Sequence, residues 1–313
     1  MEAMKGCHDN KGSRRLEEEQ EEDCNKDLEA AKTRGVVAND VVTETELNKI
    51  RLVRAFVEKH DPSSKEEDDL MIRRFLRARD LDVEKASAMF LKYLKWRHSF
   101  VPNGSISTSQ VPNEIADDKA FCQGHDKIGR PILLVLGRKH FQKKDGLDEF
   151  KRFAVYCLEK MCASMPPGEE KFVGIAELKG WGYSNSDVRA YISGLSILQD
   201  YYPERLGKLF ILHAPYIFMK VWKIIYPFID NKTKKKIIFV ENNKLKSTLL
   251  EDIDESQLPE IYGGKLQLVP IQNNLTNQKT PKTRTQEKEI TIKRLERTDL
   301  KIKQLTDEPL LTL

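Results

Sequence analysis

Residues 208–230 read KLFILHAPYIFMKVWKIIYPFID. Two apolar patterns meet near Pro215. KLFILHA (208–214) is a short continuous apolar run, of the kind that suits a strand buried on both faces. From Ala214 to Asp230 only Lys220, Lys223 and the closing Asp230 interrupt apolar and aromatic side chains, in a chain that is 33% charged. On a helical wheel Tyr216, Lys220, Lys223 and Pro227 share one narrow stripe, and apolar residues cover the rest. A helix packed on one side of a sheet needs only a stripe of about 100°. This helix is therefore either buried between neighbours, or covers the sheet with one face and offers the other to a removable apolar ligand or a membrane surface, where Trp, Tyr and Lys are at home. It is too short, and too interrupted by lysine and proline, for the ~18 apolar residues of a membrane span.

Outward from this stretch, PILLVLG (131–137), KFVGIAEL (171–178) and KKIIFVE (235–241) are further strand-like runs. Between them LDEFKRFAVYCLEKMCASM and SDVRAYISGLSILQDYY read as helices. Strands alternating with helices predict an α/β domain over about 110–270 with a mostly parallel sheet. Residues 46–98 read instead as a small all-helical module. Leu47, Ile50, Val53 and Val57 recur at helical spacing up to a stop at Asp61-Pro62. Pro102-Asn103-Gly104 and the SISTSQ that follows are linker-like.

The flanks differ in charge. Residues 1–30 carry ten acids against five bases, and residues 272–313 nine bases against six acids. Both read as polar, loosely structured segments, 1–45 and 271–313. Ile292, Leu295 and Ile302 give the basic tail a weak membrane-contacting helical pattern. A net charge of +4 does not call for a nucleic-acid partner. Five cysteines, without an apolar leader at the N-terminus, fit a reduced cytoplasmic compartment. No phosphate-binding glycine loop, nucleophile elbow, zinc-binding helix or paired Cys-x-x-Cys is present, so no cofactor, metal or catalytic residue is nominated and an enzyme is not expected.

Several separated motifs, in order, resemble the CRAL-TRIO lipid-binding family and its phosphatidylinositol-transfer branch. They are FLRARDLDVEKASAMFLKYLKWR, LKGWGYSN (178–185), QDYYPERLGKLFILHAPYIFMKVWKIIYPFIDNKTKKKI and LPEIYGGKL (258–266). The resemblance covers roughly residues 46–270. It implies a CRAL-TRIO-type lipid domain with an apolar pocket floored by the sheet and closed by a gate helix, here 215–229. Ile217, Phe218, Val221, Trp222, Ile225 and Phe228 are the candidate gate and cavity contacts, with the inward face left open. Lipid chains cost about 0.8 kcal/mol per methylene to expose, so a single chain in water costs on the order of 10 kcal/mol and only a covered apolar cavity offsets it.

Four residues match the family's phosphoinositol site. Arg79 shares a helical face with Ile72, Phe75 and Leu76, whereas Arg73, Arg74 and Arg77 lie off it. An arginine on a buried face asks for an anion, but it reads equally as a snorkelling side chain at a helix end. Thr233 and Lys236 share a side if the chain turns helically, and a helix start offers free amides to a phosphate. KTKKK by itself reads as a solvated charge run. Glu204, after Pro203, is either an acid in a first helical turn or an acceptor for inositol hydroxyls that orients Lys236. His213 ends a strand, where it either lines the pocket or is a satisfied strand-end histidine, and Cys157 and Cys162 read as thiols on one helix rather than metal ligands.

Two departures from the family pattern stand out. Asp80 follows Arg79 where a lysine is usual in this branch. Phe172 and Gly174 replace the hydroxyl residues of the family's phosphatidylcholine site. The expected function is thus non-enzymatic binding and transfer or presentation of phosphatidylinositol, together with a second, unidentified hydrophobic ligand. The expected setting is a monomer docking transiently on membranes, with a lipid kinase as a conceivable recipient. The alternative is a sensor or carrier of a tocopherol-, retinoid- or sterol-like ligand, which would not need Arg79, Glu204, Thr233 and Lys236.

Overall fold

The computed structural model describes residues 43–273. The basic tail with Ile292, Leu295 and Ile302, and the acidic flank before residue 43, lie outside the described residues. The chain divides into two compact units that part between His98 and Ser99.

The first unit is helical. Helix α1 (Glu44–His60) is capped by Thr43, whose side chain accepts from the Glu46 amide, and it ends at Asp61 where Pro62 follows. Ile50, Val53 and Val57 are buried on its inner face, whereas Leu47 at the edge of that stripe is 44% exposed. Helix α2 (Asp69–Ala78) is capped by Asp68, and α3 follows at Val83–Phe100. Phe75 of α2 meets Phe90 of α3 edge to face, with ring centroids 4.9 Å apart. Buried Glu46 binds Arg77 Nε at 2.6 Å and so ties α1 to α2.

The second unit is built on a five-stranded sheet in the order β1-β2-β3-β4-β5. The strands are β1 (Ala120–His125), β2 (Pro131–Leu136), β3 (Phe172–Glu177), β4 (Leu206–Leu212) and β5 (Ile237–Phe239). Only β1 runs antiparallel to its neighbour. The four parallel strands are those expected from the sequence. β1 is not, because AFCQGH mixes polar and glycine residues into its apolar start. A short helix α4 (Pro112–Ala116) precedes β1, α5 (Leu147–Ser164) joins β2 to β3, and α6 (Val188–Tyr201) joins β3 to β4. Between β4 and β5 lie α7 (Phe218–Ile225) and α8 (Asn231–Lys234). Parallel neighbours joined in sequence order by right-handed crossovers bring every connecting helix to the same face of the sheet.

The other face is closed from the C-terminal side. Ile132, Leu134, Val173, Ile175, Phe210 and Leu212 form one core with Leu245 and Leu249 of α9 (Leu245–Asp252), Ile253, Leu258 and Tyr262. The LPEIYGGKL segment doubles back here, bridging Pro259 to Leu266. Gly264 is required by close approach, since a Cβ there would lie 2.0 Å from the Leu258 carbonyl oxygen. The strands are not alike: the first four residues of β3, Phe172 to Ile175, are all buried, as a run buried on both faces predicts. In β2 the buried Ile132 and Leu134 alternate with the half-buried Leu133 and Val135.

Candidate functional site

The helix that closes the connecting-helix face is shorter than the 215–229 expected. Regular α-helix runs from Phe218 to Ile225, and Tyr226–Phe228 is a 3₁₀ turn. Pro227 explains the change, because it brings no N–H to the helical ladder. Phe218, Val221 and Ile225 turn inward with Ile229 and pack on Ile211, Leu178 and Trp181. Trp181 meets Phe218 edge to face, with centroids 5.3 Å apart. Ile217 and Trp222 are half-buried at the rim of this cluster. Phe228 faces outward at 53% exposure, beside exposed Ile224, Tyr226, Met219 and Tyr216. The outer face is therefore apolar and aromatic as well, with Lys220 and Lys223 exposed among these side chains.

Gln199, a residue that the sequence did not single out, fastens the far end of this segment. From the last turn of α6 its amide nitrogen donates to the Phe228 carbonyl at 3.0 Å, and its amide oxygen accepts from the Asp230 N–H at 2.8 Å.

Glu204 and Lys236 come together. Lys236 Nζ lies 3.4 Å from Glu204 Oε2, with both side chains about one-fifth exposed. Glu204 is not in a helical first turn. It sits just before β4 with φ 57°, a left-handed backbone that few residues other than glycine, Asn and Asp adopt. Lys236 stands just before β5, and its carbonyl accepts from the Leu209 N–H at 2.8 Å. The pair thus marks the amino ends of two neighbouring parallel strands.

Thr233 is buried in the four-residue α8, one short turn from Lys236. Its amide, expected to be free at a helix start, donates to Asp230 Oδ1 at 2.7 Å, and its hydroxyl donates to Asp230 Oδ2 at 2.7 Å. Asp230 is thus the N-cap that holds the threonine, a role visible in retrospect from its place three residues before Thr233. Arg79 belongs to the helical unit. It closes α2 as the C-cap residue, and its Nη1 donates to the Ala78 carbonyl at 3.1 Å. Arg73 and Arg74, placed off the apolar stripe by spacing, are both 7% exposed. Asp80 is exposed with φ 52°.

Gly174 lies on the connecting-helix face, in register between Leu133 and Leu209. A Cβ at this position would lie 2.9 Å from Leu209 Cδ1, so the leucine fills the space that a hydroxyl side chain would take. Phe172 is buried.

A second cluster lies beneath α5 and α6. Lys119, only 2% exposed, binds Glu114 at 2.6 Å, and its Nζ is 3.2 Å from His140 Nδ1. An ammonium can only donate, so Nδ1 accepts and the ring proton is on Nε2, 3.7 Å from Asp187. Burial, and then the Lys119 charge, push the His140 pKa down to about 4.

The comparisons with known proteins agree with this fold. The CRAL/TRIO domain model matches residues 116–264. The Sec14 cytosolic factor of Schizosaccharomyces pombe is 34% identical over 217 residues, spanning 64% of this chain and 76% of that protein. The phosphatidylinositol/phosphatidylcholine transfer protein SFH12 of Arabidopsis thaliana is 32% identical over 225 residues, spanning 66% of this chain and 40% of that protein. The crystal structure of Sfh5 superposes with a TM-score of 0.59 at 17% identity, covering 81% of this chain and 99% of that one, which speaks for the fold alone. The chain belongs to the CRAL/TRIO family, in the branch that its sequence motifs indicated.

Proposed function

We propose that this protein binds phosphatidylinositol and moves it between membranes, or presents it there, without making or breaking bonds. The carrying observation is the Glu204–Lys236 pair at the amino ends of β4 and β5. It puts a cation and an oriented acceptor at the edge of a sheet face on which Leu133, Val135, Ala176 and Leu209 are only half-buried. A lipid head group needs a few fixed polar groups within an otherwise apolar site. Thr233, held by Asp230, completes the proposed head-group set within this unit. The acyl chains would lie on the face that holds Leu133, Gly174 and Leu209, under the inner residues Phe218, Val221 and Ile225.

The outer gate face, with Tyr216, Ile224, Tyr226, Phe228 and two lysines, suits docking on a bilayer surface. No helix among the described residues is long and apolar enough to cross one. In this reading a cytoplasmic monomer docks transiently, the gate swings out, and one lipid exchanges for another. The product is transfer, or delivery to a lipid-modifying enzyme such as a kinase. With Leu209 over Gly174, the second ligand is not phosphatidylcholine. The other reading, a sterol-, tocopherol- or retinoid-like ligand, brings Lys236 no anion beyond Glu204 itself.

The test is transfer of labelled phosphatidylinositol and phosphatidylcholine between vesicles by the purified protein. Phosphatidylinositol alone should move, and Lys236→Ala should slow it at least tenfold while leaving the melting temperature within a few degrees. Equal transfer of the two lipids, or an unaffected Lys236→Ala variant, sinks the assignment.

A further inference from the structure

A cavity of about 870 Å³ opens at the opposite edge of the sheet from the Glu204–Lys236 pair. Its floor is the carboxyl ends of three adjacent parallel strands. Leu136 closes β2, Glu177 closes β3, and His213 directly follows β4. The volume falls within the range of small-molecule sites, roughly 300–1,000 Å³.

The polar groups in this cavity are arranged and left unspent. Glu177 is 5% exposed, and both its carboxylate oxygens lie 2.9 Å from His213 Nδ1. A carboxylate only accepts, so Nδ1 carries the proton and Nε2 has no partner among the described residues. His213 is held at φ 49°, a backbone state uncommon outside glycine that gathers at ligand sites when its surroundings enforce it. The Tyr262 hydroxyl is buried without a well-formed hydrogen bond among the described residues, and the Glu177 carboxylate is the acceptor in its reach. Burial and the nearby Glu177 carboxylate raise its pKa, so it stays a donor. Lining the same cavity, the Arg138 guanidinium and the Lys179 ammonium form no ion pair among the described residues. Against these stand leucine side chains, Leu245 and Leu250 of α9 among them.

Two unpaired cations, a buried hydroxyl donor and an oriented imidazole beside an apolar wall suit one kind of molecule. We propose that this cavity is a second ligand site, independent of the gate-side face, for a single-chain anionic amphiphile. The head, a carboxylate or phosphate, lies against Arg138, Lys179 and Tyr262, and the chain lies on Leu245 and Leu250. No bond is made or broken. Because the site occupies the other edge of the sheet, it can be filled while the gate side holds its lipid.

Calorimetric titration of the purified full chain, loaded with phosphatidylinositol, tests this with three probes: decyl phosphate, decanoate and inorganic phosphate. One equivalent of decyl phosphate or decanoate should bind, at least tenfold more tightly than inorganic phosphate. The tighter of the two identifies the head group. Arg138→Gln with Lys179→Gln should weaken binding at least tenfold and Tyr262→Phe about threefold. Lys179 is exposed, so Lys179→Gln alone, expected to cost about threefold, preserves the test if a buried change unfolds the protein. No binding, equal binding of inorganic phosphate, or unchanged binding by the charge variants each overturns the proposal.

Discussion

The two faces of the central sheet are made from the same strands yet packed differently. On the face closed by α9 and the LPEIYGGKL segment, Ile132, Leu134, Val173, Ile175, Phe210 and Leu212 are all at most 1% exposed. On the face under α5, α6 and α7, Ile211 is buried as well, but Leu133, Val135, Ala176 and Leu209 stay half-buried, although they are as apolar and alternate with the first set. Native cores leave few gaps, so a row of half-buried apolar side chains under a layer of helices marks a surface kept available. Under the proposed opening of the helical side, the stability has to lie on the other.

That contrast can be broken directly. Phe210 and Leu209 are neighbours in β4 that point to opposite faces. Phe210→Ala should cost about 4 kcal/mol, as for a fully buried aromatic, while Leu209→Ala should cost about 1 kcal/mol. Urea unfolding of the two variants measures both. Equal costs would mean that the two faces are packed alike and that no side is held in reserve.

The second test concerns the polar anchor beneath α5 and α6. His140 has a folded pKa of about 4 against an ordinary value of 6.5. It is neutral in the folded chain while the unfolded chain takes up a proton. Its share of stability is therefore full above pH 6.5 and is lost as the pH falls from there to about 4. The loss is on the order of 3 kcal/mol across that window. Lys119, Lys143, Asp117 and Asp187 are the charges around it. Unfolding midpoints in urea at pH 7.5 and 5 should fall less in His140→Gln than in the parent. An identical fall would place the acid sensitivity elsewhere.

The smallest expected effect lies at the end of the gate. Gln199→Ala removes both hydrogen bonds to the Phe228–Asp230 segment, which are exposed and so worth less than about 0.5 kcal/mol each. Gate opening should become easier, with vesicle-to-vesicle exchange rising about threefold and global stability falling by less than 1 kcal/mol. Slower exchange in this variant would mean that Gln199 supports the lipid-loaded form instead of restraining the opening.

Much of this was legible from local pattern. The runs at 131–137, 171–178, 208–214 and 235–241 all lead to strands, and the helices between them start and stop within a few residues of their expected ends. β1 escaped because Gln123, Gly124 and His125 break its apolar character, and an antiparallel edge strand does not need a continuous one. α9 escaped because LKSTLLED is short and carries its apolar residues at only a few positions. The gate contracted to Phe218–Ile225 because periodicity counts side chains, whereas a helix ends where the backbone loses a donor, as it does at Pro227.

By itself, then, the sequence determined which segments alternate as strand and helix, that one helix has two apolar faces, and that the CRAL-TRIO motifs are present in order. Periodicity and turn chemistry act over a few residues, and these properties are local. Only the tertiary structure decided that the gate turns Phe218, Val221 and Ile225 inward and leaves Phe228 out. It also brought Lys236 to Glu204 from 32 residues away, gave Thr233 to Asp230, and gathered Arg138, Glu177, His213 and Tyr262 around one cavity. Those meetings depend on strand order and register, and no short window of sequence carries either.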